Sequence, residues 1–155
     1  MILKEPAFTV DRKHAGEFRL ASSMMYGWAL MLCVVHIPVG FETDFASIPR
    51  FLRFVFSVNG KHRLSAVLHD FLYRSGGVIR VDASFIDGVV AATVETVEVR
   101  YTRKDADDEF YRDMLAAGVG RLQAYSMYQG VRAFGWLFWN KCQKCKHGNQ
   151  HSHER

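Results

Sequence analysis

From Leu64 to Gly77 the chain reads LSAVLHDFLYRSGG, and the spacing of Leu64, Val67, Leu68, Phe71 and Leu72 fits one regular element, a helix with a core-facing stripe. Gly76 and Gly77 supply its stop. A central helix of this kind must be covered by other elements, and the flanking sequence says which. Upstream, EFRLA and WALMLCVVHI are rich in β-branched and apolar residues and close at the turn PVG. Between them and the helix lie the loop FETDFASIP and a short helix, RFLRFVF, opened by Pro49.

Downstream, residues 78–101 read as an extended insertion, a strand pair with its turn near Asp87-Gly88 and with Val94, Val97 and Val99 among its apolar positions. TRKDADDEFYRDMLAAGVG follows, with Thr102 as N-cap, acidic residues in the first turns and Gly118 near the stop. A last helix spans about 122 to 140. The expected fold is α+β: a small N-terminal antiparallel sheet, then three to four packed helices, with the insertion at 78–101. Residues 1–140 are expected to form one globular domain and 141–155 a basic Cys/His-rich tail.

His69 and Asp70 break the apolar pattern near the centre of the first long helix, where ionisable groups need partners. Tyr73 follows His69 at i, i+4, on the same helix surface. On the next long helix Asp107 lies beside the apolar line Ala106, Phe110, Met114. Antiparallel packing of the two faces would let Asp107 meet His69. A carboxylate on one imidazole nitrogen fixes the tautomer and leaves the other nitrogen to take a proton from water. Asp70, about 100° round the helix, and Asp44, in an irregular loop, are hard oxygen ligands suited to Ca²⁺ or Mg²⁺. A cation beside an activated water is an arrangement for ester hydrolysis. The competing reading makes the His–Asp pair a buried structural network.

Four stretches, IPVGFETDFASIPR, AVLHDFLY, RKDADDEF and VRAFGW, occur in an order that resembles a phage and prophage family of unknown function over most of residues 17–140. That resemblance implies a phage or prophage gene, with phage structural proteins as partners, and brings no activity with it. More locally, HDFLYR followed by ADDEFYRDM is similar to the catalytic helices of phospholipase A2. By that resemblance His69 would be the general base, Asp107 its orienting acid, Tyr73 part of the supporting network and Asp70 a calcium ligand. The role of Asp44 in a calcium loop is a guess from its position. The chain departs from the phospholipase pattern in lacking a Gly-rich calcium loop and flanking disulfides, and in placing residues 78–101 between the two helices. Two functions follow: a calcium-dependent ester hydrolase, or a non-enzymatic tail, baseplate or assembly component whose His–Asp pair is structural.

YSMYQGVRAFGWLFWNK is dense in aromatics. Stripes of this kind are usually core, which would turn Phe134, Leu137 and Phe138 inward and use the tryptophans to seal the edge. Its alternatives are an interfacial helix on a membrane lipid surface and a protein-docking face. The tail then offers Cys142, Cys145, His147, His151 and His153, sufficient for a structural tetrahedral Zn²⁺, against the alternative of a disordered basic tail. Cys33 reads as a small buried hydrophobe.

The formal net charge is +4, and the tail, with Lys141, Lys144, Lys146 and Arg155 against Glu154, holds +3 of it. The body therefore has no basic stripe, and no nucleic-acid partner is expected. No apolar run reaches the length of a membrane-spanning helix, and MILKEPAFTVDRKH has no signal-peptide h-region. Synthesis in the host cytoplasm is the expectation, with incorporation into a virion left open.

Overall fold

The structure is a computed structural model that describes residues 2–4, 8–10, 18–28, 31, 33–43, 61–82 and 96–140. The element order is β1 (Ile2–Lys4), β2 (Phe8–Val10), β3 (Phe18–Leu20), β4 (Met24–Trp28), β5 (Cys33–Ile37), β6 (Glu42–Thr43), α1 (Arg63–Ser75), β7 (Val78–Asp82), β8 (Thr96–Arg100), α2 (Arg103–Ala116) and α3 (Arg121–Phe134). A short helical stretch, 136–140, follows α3. The fold class is α+β, as expected. The chain divides into two compact units, one of residues 1–45 with 78–100 and one of residues 46–77 with 101–155.

The first unit is antiparallel throughout. Its sheets have the strand orders β1-β4-β5, β2-β3-β6 and β7-β8. The apolar run 28–37, expected as one strand, is instead divided, with Trp28 ending β4 and Cys33–Ile37 forming β5. β4 begins earlier, at Met24, and pairs Met24 with Ile37, Tyr26 with Val35 and Trp28 with Cys33. All six of these side chains are buried, so the alternation puts one face of both strands into the core. Cys33 is the buried hydrophobe the sequence suggested. The insertion forms the expected pair, β7 with β8, in register from Val78↔Arg100 to Asp82↔Thr96. Its Asp87-Gly88 turn, the RFLRFVF helix and the FETDFASIP loop from Asp44 onward lie outside the described residues.

The second unit is helical. α1 ends where Gly76 takes up a left-handed conformation, φ 62°, and its N–H donates to the Tyr73 carbonyl. α2 starts with a reciprocal capping box, in which the Thr102 side chain accepts from the Asp105 N–H and the Asp105 carboxylate accepts from the Thr102 N–H. Contacts along α2 run antiparallel to α1, with His69 and Tyr73 meeting Asp107, and antiparallel to α3, with Asp108 meeting Tyr128 and Arg103 meeting Val131. The last helix expected at 122–140 breaks at Gly135.

Two details depart from the periodicity. Leu64 and Phe71 are only half-buried, whereas His62, Ser65, Ala66, His69 and Tyr73 form a buried, largely polar stripe on α1. The apolar and polar stripes together leave α1 buried nearly all round. The aromatic segment also departs from the expected core role. Phe134, Leu137 and Phe138 are exposed, and Trp139 is the residue that packs inward.

Candidate functional site

The helical geometry of α1 places His69 and Tyr73 one turn apart on the polar stripe, and the antiparallel start of α2 brings Asp107 against both. His69 Nε2 lies 2.9 Å from Asp107 Oδ1, and the Tyr73 hydroxyl donates to the same oxygen at 2.6 Å. The second carboxylate oxygen is held from the other side. Arg132 of α3 donates to Oδ2 at 2.9 Å, and Arg103 approaches it at 3.4 Å. Asp107 is 0% exposed and His69 2%.

The His69 ring rests against Tyr73, with centroids 4.2 Å apart, and against Phe110, at 4.8 Å. Trp139 meets Tyr73 edge-on from the far side of Gly135 in sequence.

The electrostatics follow from this arrangement. Burial alone would raise the Asp107 carboxyl. The hydrogen bond and charge of His69, with the bonds from Tyr73 and Arg132, outweigh it and hold the group below its usual range. Asp107 is therefore a carboxylate. Burial first, and then the Asp107 charge, push the Tyr73 phenol well up, so it stays a donor. The hydrogen bond to Asp107 raises Arg132, against some desolvation. A carboxylate accepts, so His69 Nε2 donates, and whenever the ring carries a single proton the lone pair is on Nδ1.

Asp107 thus unites all three helices. Arg103 extends that role, because its guanidinium also donates to the Val131 and Arg132 carbonyls at 3.2 and 3.1 Å. Both are last-turn carbonyls of α3, and the Val131 carbonyl also accepts from the Gly135 N–H at 2.8 Å. Neither arginine was singled out for this site by the sequence reading. Each nevertheless sits in a noted motif, Arg103 four residues before Asp107 and Arg132 in VRAFGW. The same motif supplies Gly135. A Cβ there would lie 2.3 Å from the Tyr73 hydroxyl, so the glycine makes the space in which that hydroxyl reaches Asp107.

The structure therefore brings His69, Tyr73 and Asp107 together and adds Arg103, Arg132 and Gly135. Asp70 is adjacent in sequence, buried at 3% exposure, and has interactions of its own. Asp44 and the proposed zinc ligands Cys142, Cys145, His147, His151 and His153 lie outside the described residues. Among the described residues no three His, Cys, Asp or Glu side chains come together as a metal shell. Asp70 alone does not make a calcium site among the described residues.

Residues 18–131 match the family described as protein of unknown function DUF1353, and the chain belongs to that family. No curated protein and no solved structure matches it.

Proposed function

We propose that this DUF1353 chain is a phage-encoded hydrolase of carboxylic esters in which His69 is the general base. The observation that supports it is the pairing of a buried carboxylate with His69 Nε2 at 2.9 Å, which directs the lone pair to Nδ1. In the reaction, a water at Nδ1 gives up its proton as its oxygen bonds to the ester carbonyl carbon. Asp107, already ionised, stabilises the resulting imidazolium without accepting the proton. The tetrahedral adduct then breaks its bond to the leaving alkoxide, which takes the proton from Nδ1. The products are a carboxylic acid and an alcohol. Tyr73, Arg103 and Arg132 are positioning residues that keep Asp107 charged and in place.

The likeness of HDFLYR and ADDEFYRDM to the phospholipase A2 helices makes phospholipid the first substrate class to try. Calcium dependence is part of what the same likeness implies. The test is fatty-acid release from phospholipid vesicles and from a soluble short-chain ester, with calcium and with chelator. Wild type should hydrolyse at least one substrate, and His69→Gln should lose about 10²- to 10⁴-fold in rate. A folded wild type without activity on either would remove the proposal.

One observation favours the non-enzymatic alternative, a virion or assembly component. His69 is only 2% exposed, so substrate reaches Nδ1 only if the side chains over the ring move. In that reading the network is scaffold. His69→Gln would then lower stability and change no turnover.

A further inference from the structure

One exposed stripe of α3 carries no charged side chain. Leu122, Tyr125, Ser126, Gln129 and Ala133 follow one another at helical spacing, and all face solvent. Leu122 is 82% exposed. The stripe runs into Phe134, Trp136, Leu137 and Phe138, with Trp136 51% and Leu137 52% exposed.

This placement has a structural cause. Trp139 is pinned inward by edge contacts to Tyr73 and Tyr101, at centroid distances of 5.2 and 6.0 Å. Leu137, two positions earlier, is then about 160° round the helix and points away from the packed side. The apolar side chains are thus held outward by the buried tryptophan beside them.

We propose that α3 and the 136–140 helix lie on an anionic lipid bilayer, with Trp136, Leu137 and Phe138 inserted at its interface. Charge selects this occupant. From Met114 to His153 the sequence has no Asp or Glu, while Arg121, Lys141, Lys144 and Lys146 are cationic in addition to Arg132, whose charge Asp107 already meets. A Trp/Phe/Leu cluster followed directly by lysines is the composition of a segment that combines interfacial burial with attraction to acidic headgroups. A second copy is disfavoured as occupant. Symmetric pairing through this face would set the same cations against one another with no acid in the segment to neutralise them. The inference goes beyond the hydrolase reading and stands whether or not His69 is catalytic.

The test uses the full chain with phosphatidylcholine vesicles, with and without phosphatidylglycerol. Trp28 and Trp139 are buried and Trp136 is exposed, so a blue shift in emission on binding reports Trp136. The expected result is a blue shift and co-sedimentation on the anionic vesicles, weakening as salt rises from about 0.05 to 0.5 M. Leu137→Ser with Phe138→Ser should weaken partitioning about a hundredfold. Trp136→Phe should lose the shift and keep most of the sedimentation. Leu122→Ser with Tyr125→Ser provides a second, separately folded check on the other end of the stripe, and should also weaken binding. His69→Gln should bind as wild type does, which separates this result from hydrolysis. Folded wild type that ignores anionic vesicles would overturn the proposal, as would equal binding by wild type and the Leu137/Phe138 variant. A wild-type dimer dissociated by that variant in sedimentation velocity would assign the face to a second copy instead.

Discussion

Asp107→Asn is the substitution with the most informative consequence, because it keeps the shape of the side chain and removes one property at a time. The amide nitrogen must face either the two arginines or the His69–Tyr73 pair. Against Arg132 at 2.9 Å and Arg103 at 3.4 Å it would set donors against donors. Toward His69 it can donate to Nε2, provided the imidazole changes tautomer and moves its proton to Nδ1. The second arrangement is the cheaper, and it converts Nδ1 from acceptor to donor.

The stability cost is set mainly by the lost negative charge. A hydrogen bond to a charged group contributes about 1.5–3 kcal/mol, and the partial exposure of both guanidiniums reduces what is lost when they turn to water. We expect a loss of about 2–3 kcal/mol, or about 4–12 °C in melting temperature for a chain of this size. Urea denaturation measures the first quantity, and ¹⁵N imidazole shifts report the second, the site of the proton on His69. Wild type should show the proton on Nε2 and the variant on Nδ1. A wild-type ring protonated on Nδ1 alone, or a variant with unchanged stability and tautomer, would refute the reasoning.

Other consequences are simpler to measure. Gly135→Ala should destabilise by about 2 kcal/mol or more, since the new Cβ meets the Tyr73 hydroxyl at 2.3 Å and the Val131 carbonyl at 2.5 Å. Tyr73→Phe in that background should cost less than it does alone, a coupling that a double-mutant cycle reads directly. Because the folded Asp107 carboxyl lies below its unfolded value, its contribution is fully present above about pH 4 and is lost as pH falls through the folded value. The urea midpoint should therefore fall as pH drops below about 4, and fall less in Asp107→Asn. Thr102→Ala, which removes half of a capping box, should cost about 1 kcal/mol in the same denaturation assay.

The elements most legible in the sequence were those whose signals are local. The Thr102 cap and the Gly76 stop depend on residues within a few positions of one another, the strand pair of the insertion on the apolar positions of each strand, and all three occur as read. The meeting of His69 with Asp107 was legible because each helix presents its polar residue at the border of an apolar line. Less accessible was whatever depends on a third element. Arg132 looked like a surface cation because nothing in its own helix reveals that α2 places a carboxylate beside it. Gly135 was read as part of one helix from about 122 to 140, while its role is set by a tyrosine on α1. The inward turn of Trp139 in place of Phe134, Leu137 and Phe138 has the same origin. The buried positions Met127, Val131, Gly135 and Trp139 keep one helical period through Gly135, and that period turns Trp139 inward and leaves Phe134, Leu137 and Phe138 outside.

The measurement that bears most directly on the central claim is ester turnover by wild type, His69→Gln and Asp107→Asn, each first shown to be folded by near-ultraviolet circular dichroism. Phospholipid and short-chain ester substrates should each be tried with calcium and with chelator. The account predicts hydrolysis by wild type and a loss of about 10²- to 10⁴-fold in both variants while their folds are retained. Turnover in folded His69→Gln equal to wild type, or none in any of the three, would contradict it.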